Sequence, residues 1–213
     1  MKVTKIGHAC ILVEEQGVRI LIDPGNFSSG QKDVRDIDAI LLTHEHADHI
    51  DLETFNIVLR NNPNAKIFTN NGVGKKLNEQ KIPFTLLTDG QKTEVNGVSI
   101  EGIGKLHAII HDSIPVIENT GYLINNRLFY PGDAFTIPKK KVEILALPVA
   151  APWMKIAEAI EYARKIRPKI CFPVHDGMLQ VDKRGSTRWA PEQVLSKEGI
   201  RFTEILEGAS REF

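Results

Sequence analysis

The chain has few of the features that would assign it early. Only two cysteines occur in 213 residues, Cys10 and Cys171, both inside apolar, strand-like runs. Two such thiols cannot build a disulfide framework, and they fit buried groups in a reducing cytoplasm. No apolar run approaches the roughly 20 residues needed to cross a bilayer. The start, Met1-Lys2-Val3-Thr4-Lys5, shows neither an apolar core nor a cleavage site, so no signal peptide is expected. Excess charge is missing too: 27 Lys and Arg balance 27 Asp and Glu. That argues against a dedicated nucleic-acid binder, which needs a basic face. Internal repeats, low-complexity tracts and a linker are also absent, and residues 1–213 are expected to form a single domain.

What is present is concentrated. Thr43-His44-Glu45-His46-Ala47-Asp48-His49 carries three of the seven histidines within six positions. The apolar run Ala39-Ile40-Leu41-Leu42 leads into it, which reads as a buried strand opening into a loop of donors. Spacing by two in extended chain puts His44 and His46 on one side, where they can grip one ion. Asp48 and His49 can then address a second. Imidazole and carboxylate together suit zinc first, with iron or manganese as alternatives.

The remaining pattern is mixed. Residues 3–13 and 18–22 read as strands around a turn at Glu15-Gln16-Gly17, and residues 26–36 as a surface loop. Helices are expected from Asp51 to about Arg60 and over Gly72–Gln80, with strands at Ala65–Thr69 and Phe84–Leu87. Asn96-Gly97 and Asn125-Asn126 mark two hairpins. Val142–Leu147 reads as a buried strand. Lys155–Ile166 is a helix closed by Pro168, and Lys169–Val174 is a strand ending at His175. Pro191 is read as the first turn of a helix reaching Lys197, and Arg201–Leu206 as a last strand. Each half starts with antiparallel strands and continues with strand–helix units. The fold class is therefore α/β (α+β): two mixed sheets packed face to face, helices outside.

The His44-x-His46-x-Asp48-His49 run resembles the signature of the metallo-β-lactamase superfamily, in its compact form. Asp23 at a strand end, a mid-chain histidine, Gly132-Asp133 after a hairpin and His175 at a strand end follow in that family's order. The resemblance implies a four-layer αββα sandwich with a two-metal site along one edge. It implies that His44, His46 and a mid-chain histidine hold one metal. Asp48, His49 and His175 hold the other, and Asp133 bridges. His107 and His111 compete for the mid-chain place. His107 is favoured because it follows the Val98–Ile103 run, where the family places its ligand.

Asp23 is expected to orient a metal-binding histidine from behind. Asp48, His8 and His111 are the catalytic candidates, the last two as general acid; His8 reads equally as a core histidine. Trp153 is either a pocket wall or packing. Gly72-Val73-Gly74-Lys75-Lys76 lacks the spacing of a phosphate loop, and Lys139-Lys140-Lys141 reads as a solvated loop.

The implied activity is metal-dependent hydrolysis of an ester-type bond in a small-molecule substrate: a lactone, thioester or phosphodiester. A water shared by two divalent ions, zinc first, is the expected nucleophile. An iron-dependent dioxygenase on the same fold is the alternative, with a nuclease behind it. Substrate and oligomeric state have no readable code in the chain.

Overall fold

The computed structural model describes residues 1–213. The first half comprises β1 (Lys2–Lys5), β2 (Ile11–Glu15), β3 (Val18–Ile22), β4 (Ala39–Leu41), α1 (Leu52–Asn61), β5 (Lys66–Thr69), α2 (Asn71–Glu79) and β6 (Thr85–Leu86). The second comprises β7 (Lys92–Val95), β8 (Val98–Ile103), β9 (Gly121–Ile124), β10 (Leu128–Tyr130), β11 (Ile144–Pro148), α3 (Ile156–Ile166), β12 (Ile170–Val174), α4 (Gly185–Leu195), β13 (Arg201–Phe202) and β14 (Ser210–Glu212). Two seven-stranded sheets result, ordered β14-β1-β2-β3-β4-β5-β6 and β13-β12-β11-β10-β9-β8-β7.

Both sheets change character partway across. In the first, β1 to β3 run antiparallel and β3 to β6 parallel. In the second, β7 to β10 run antiparallel and β10 to β13 parallel. A parallel neighbour needs a crossover, and α1, α2 and α3 supply three of them.

The apolar runs sort into layers. In β4, Ala39 and Leu41 join a 22-residue core between the sheets. Ile40 and Leu42 join a 13-residue core with Phe55 and Val58 of α1 and Val73 and Leu77 of α2. β11 divides in the same way. Ile144 and Ala146 face the central core, while Leu145 and Leu147 pack with Ala159, Ile160 and Ala163 of α3. Alternate residues thus face two hydrophobic layers, which is why these strands read as unbroken apolar runs. The architecture is the expected αββα sandwich.

The turns follow local chemistry. Asn96 and Gly97 take φ of 47° and 90°, and Gln16 and Gly17 take 51° and 82°, as tight hairpins require. Asp51 caps α1 by accepting the Thr54 N–H at 2.9 Å; its replacement by alanine would cost about 1 kcal/mol.

Three expectations need correction. Residues 3–13 are not one strand. The N–H groups of Ile6 and Gly7 both donate to the Cys10 carbonyl, which closes a turn between β1 and β2. Pro191 is not at a helix start but inside α4, which begins at Gly185. Burial of Pro191 and Leu195 offsets the backbone bond that proline forfeits. Finally, the chain returns after β13 to lay β14 antiparallel on β1, with Val3 opposite Arg211.

Candidate metal centre

The site lies where several strands of both sheets end. Asp23 follows β3, residues 43–49 follow β4, Asp133 follows β10, and His175 follows β12. His107 stands four residues beyond β8, and His8 comes from the β1–β2 turn. Thr43 fixes the start of the histidine loop. Its carbonyl accepts the Asn70 side-chain amide at 2.7 Å and the Thr120 N–H at 2.9 Å. The N–H groups of His49 and Ile50 then donate to the His46 carbonyl, which curls the loop so that Asp48 and His49 turn inward.

Three groups of donor atoms form, each with its members within 4.8 Å of one another: His44, His46 and His107; His8, Asp48, His49 and His175; and His44, His49 and Asp133. Asp133 sits between the first two. Its Oδ1 is 3.2 Å from His49 Nε2, and its Oδ2 is 3.0 Å from His175 Nε2 and 3.4 Å from His107 Nε2. Asp48 Oδ2 is 3.1 Å from His8 Nε2 and 3.4 Å from His175 Nε2. His44 Nε2 and His46 Nδ1 face each other at 3.1 Å.

The histidines are held from behind. The Nδ1–H of His107 donates to the Ala108 carbonyl and that of His175 to the Ala150 carbonyl, each at 2.6 Å. The Nδ1–H of His49 donates to Asp23 Oδ2 at 2.7 Å. Each bond fixes a tautomer and leaves a bare Nε2 pointing into the cluster. Those three Nε2 atoms and Asp133 Oδ1 are buried without a hydrogen-bond partner. Four orphaned donor atoms converging in one buried place are costly unless something binds them. The donor set fits a divalent cation, because neutral imidazole and carboxylate are ligands for such ions.

Electrostatics agree with this reading. Burial, reinforced by the charge of His49, holds the His44 imidazole well below its ordinary value. Burial would also lower His175, but the Asp133 carboxylate pushes it up to about 9. His49 is raised well above its ordinary value against the same burial penalty, by Asp133 and Asp23. Burial alone would raise Asp48 and Asp133. The surrounding histidines instead keep both carboxyls well below the usual range.

His111 does not join the cluster. It is exposed on the loop, its Nδ1 is 2.8 Å from Ser113 Oγ, and its carbonyl accepts the Ile114 N–H in a turn that carries the ring outward. The general-acid expectation for His111 has no geometric support. His107 occupies the mid-chain place beside His44 and His46.

Several contributors were not foreseen. Thr43 donates its N–H to Asp23 Oδ1 at 2.8 Å and its hydroxyl to Oδ2 at 2.7 Å. Asn119 accepts the Asp133 N–H at 3.0 Å and donates to the Pro131 carbonyl at 2.9 Å, clamping the loop that presents Asp133. Gly132 adopts φ +65° there, and a Cβ would come within 2.3 Å of Asn119 Oδ1, so the loop excludes any larger residue. Trp153, read from the sequence as either a pocket wall or packing, touches the site itself: its indole N–H donates to Asp133 Oδ2 at 2.9 Å. Asp176, next to His175, is fully buried against Lys5 Nζ at 2.7 Å and also pairs with Arg188. A signal existed for some of these: Thr43 opens the histidine loop, and Asn119 stands two residues before β9.

Residues 2–175 match the family model of the Beta-lactamase superfamily domain, and the chain belongs to that superfamily. Its relatives are more particular. It is 39% identical over 190 residues to Protein Rv0786c of Mycobacterium tuberculosis, covering 87% of this chain and 88% of that protein. It is 33% identical over 187 residues to UPF0173 protein PF0020 of Pyrococcus furiosus, covering 83% and 84%, which places it with the UPF0173 proteins. Among solved structures, one from Parabacteroides distasonis, described as a candidate metal-dependent hydrolase, aligns with TM-score 0.76 at 25% identity over 95% of this chain and 91% of that one. No helix is long and apolar enough to cross a membrane.

Proposed function

We propose that this chain is a metal-dependent hydrolase working with two divalent ions, zinc first and manganese or iron otherwise. His44, His46 and His107 would hold one ion, and Asp48, His49 and His175 the other, with Asp133 between them. The observation that carries this reading is the convergence of buried, partnerless Nε2 and Oδ1 atoms from His49, His107, His175 and Asp133. The Parabacteroides structure described as a candidate metal-dependent hydrolase supports the same class.

Bound there, such a pair lowers the pKa of a shared water and polarises a substrate oxygen. The chain's own residues do the rest. Asp133 touches His49, His107 and His175 and so spans both donor sets, while Trp153 and Asn119 hold it in place. Asp48, 20% exposed on its side chain and held in the ionised form by His175 and His8, would lend its carboxylate to the second ion and offer an acceptor to a water there. Asp23 keeps the proton of His49 on Nδ1 and frees Nε2. The substrate is a small molecule with an ester-type bond: a lactone, thioester or phosphodiester. Residues 1–213 act as one unit in this reading, because the ligands run from His44 to His175 and Asp23 supports them from behind. The buried free thiols of Cys10 and Cys171 support a cytoplasmic setting.

The test couples metal analysis to a substrate screen. Two equivalents of zinc or manganese per chain and turnover of a lactone, thioester or phosphodiester probe are expected, with turnover abolished in His46→Ala. Iron with oxygen consumption and no hydrolysis would sink the proposal.

A further inference from the structure

We infer that His8 is a positioning residue for Asp48, acting as a fixed hydrogen-bond donor and neither as a metal ligand nor as a general acid. This rests on the two-metal reading above. His8 is fully buried, and its Nε2 stands among the donor atoms of Asp48, His49 and His175. By proximity alone it would count as a ligand. Its other ring nitrogen excludes that. Nδ1 faces the backbone N–H of Gly177 at 2.9 Å, and an N–H can only donate, so Nδ1 must accept. The ring proton is therefore on Nε2, directed at Asp48 Oδ2 at 3.1 Å.

His107 and His175 show the opposite arrangement. Their Nδ1 atoms face carbonyls, and their Nε2 atoms are bare. His8 thus presents a proton where those two present a lone pair. That proton is engaged by Asp48, so it is not offered to a leaving group.

The ring has little freedom to turn. Phe27 packs on its edge with centroids 5.2 Å apart, and the His175 ring lies 4.1 Å away. The His175 N–H donates to the His8 carbonyl at 2.9 Å. Gly177 approaches so closely that a Cβ there would lie 2.8 Å from the His8 Cβ. Lys5 and Arg188 in turn hold Asp176, the residue before Gly177. The consequence falls on Asp48. With Oδ2 tied to His8, the carboxylate keeps one rotation relative to His49 and His175. Partners of this kind are typically worth 10–100-fold in metal affinity.

The experiment measures zinc binding to chelator-stripped full-length protein by calorimetry, alongside the His8 tautomer by nitrogen-15 NMR. Wild type is expected to bind two zinc ions and to show His8 protonated at Nε2. His8→Ala should keep the first ion at wild-type affinity and bind the second about 10–100-fold more weakly. His8→Gln offers an amide N–H near the position of Nε2 and should recover most of that loss. His8→Asn can accept from Gly177 but falls short of Asp48, and should behave like His8→Ala. The contrast between Gln and Asn decides the matter even where the alanine variant fails to fold. Wild-type second-site affinity in the Ala or Asn variant overturns the inference. So does a Gln variant no better than Asn, or a His8 ring protonated at Nδ1. Wild type that binds fewer than two zinc ions overturns the two-metal reading itself, and is told apart because it needs no variant.

Discussion

Asp23 Oδ2 accepts the Nδ1–H of His49 at 2.7 Å, in full burial, across 26 residues of chain. The same carboxylate takes both donors of Thr43. All three groups facing it are donors, so only an acceptor with two oxygens fits.

Asp23→Asn tests that relationship. Its amide NH2 would point a donor at Thr43 or His49 and leave buried groups unpaired, at a cost of about 1–3 kcal/mol. Zinc affinity should fall about 10–100-fold as His49 loses its fixed tautomer. Urea unfolding and zinc titration check both outcomes. Unchanged values in both would remove Asp23 from the site.

Metal removal should expose the cost of the partnerless atoms. An ion at a thousand times its dissociation constant stabilises the folded state by about 4 kcal/mol. For a domain of this size that amounts to a rise in Tm of roughly 10 °C. Chelator-stripped protein should gain this on adding zinc or manganese, read by calorimetry. An unmoved Tm would contradict metal binding.

His107 and His111 separate cleanly. His107→Ala should lose one equivalent of metal and at least about 100-fold in kcat/KM, roughly 2.7 kcal/mol of transition-state stabilisation. His111→Ala should retain both, since its ring is exposed and turned towards Ser113. The opposite pattern would reassign the ligand.

Asp176 predicts an acid limb of stability. Burial alone would raise its carboxyl, but Lys5 and Arg188 hold it below its ordinary 3.8. A depressed folded pKa contributes stability that is present above about 3.8 and lost as pH falls through the folded value. Asp176→Asn leaves Lys5 buried without its partner and should cost about 3–5 kcal/mol at pH 7. The gap to wild type should shrink towards pH 2. Urea midpoints across that range check it; a constant gap would show that the carboxylate charge is not responsible.

Legibility followed the range of the interactions. The strands at Ala39–Leu41 and Ile144–Pro148 were readable because burial on two faces leaves an unbroken apolar run. The turn at Asn96-Gly97 was readable because positive φ at both positions selects those residues. β14 was not. Ser210-Arg211-Glu212 is exposed throughout, and only its pairing with β1, some 200 residues away, makes it a strand. The same limit applied at the site. Donor residues on strand ends could be named from order and spacing. The groups behind them were harder to name: Thr43 and Asn119 left only their places beside the histidine loop and β9, and the Gly177 N–H, a backbone group, left no pattern in the chain.

The two-sheet layout also gives the metals a mechanical meaning. His44, His46, Asp48 and His49 belong to the half that builds the first sheet, and His107, Asp133 and His175 to the half that builds the second. Each ion would therefore be gripped from both sides of the seam between the sheets, as a clasp grips two edges of cloth. A chain nicked in the exposed turn at Asp89-Gly90 would leave neither fragment with a full set of ligands. Zinc would then act as the rivet that rejoins them.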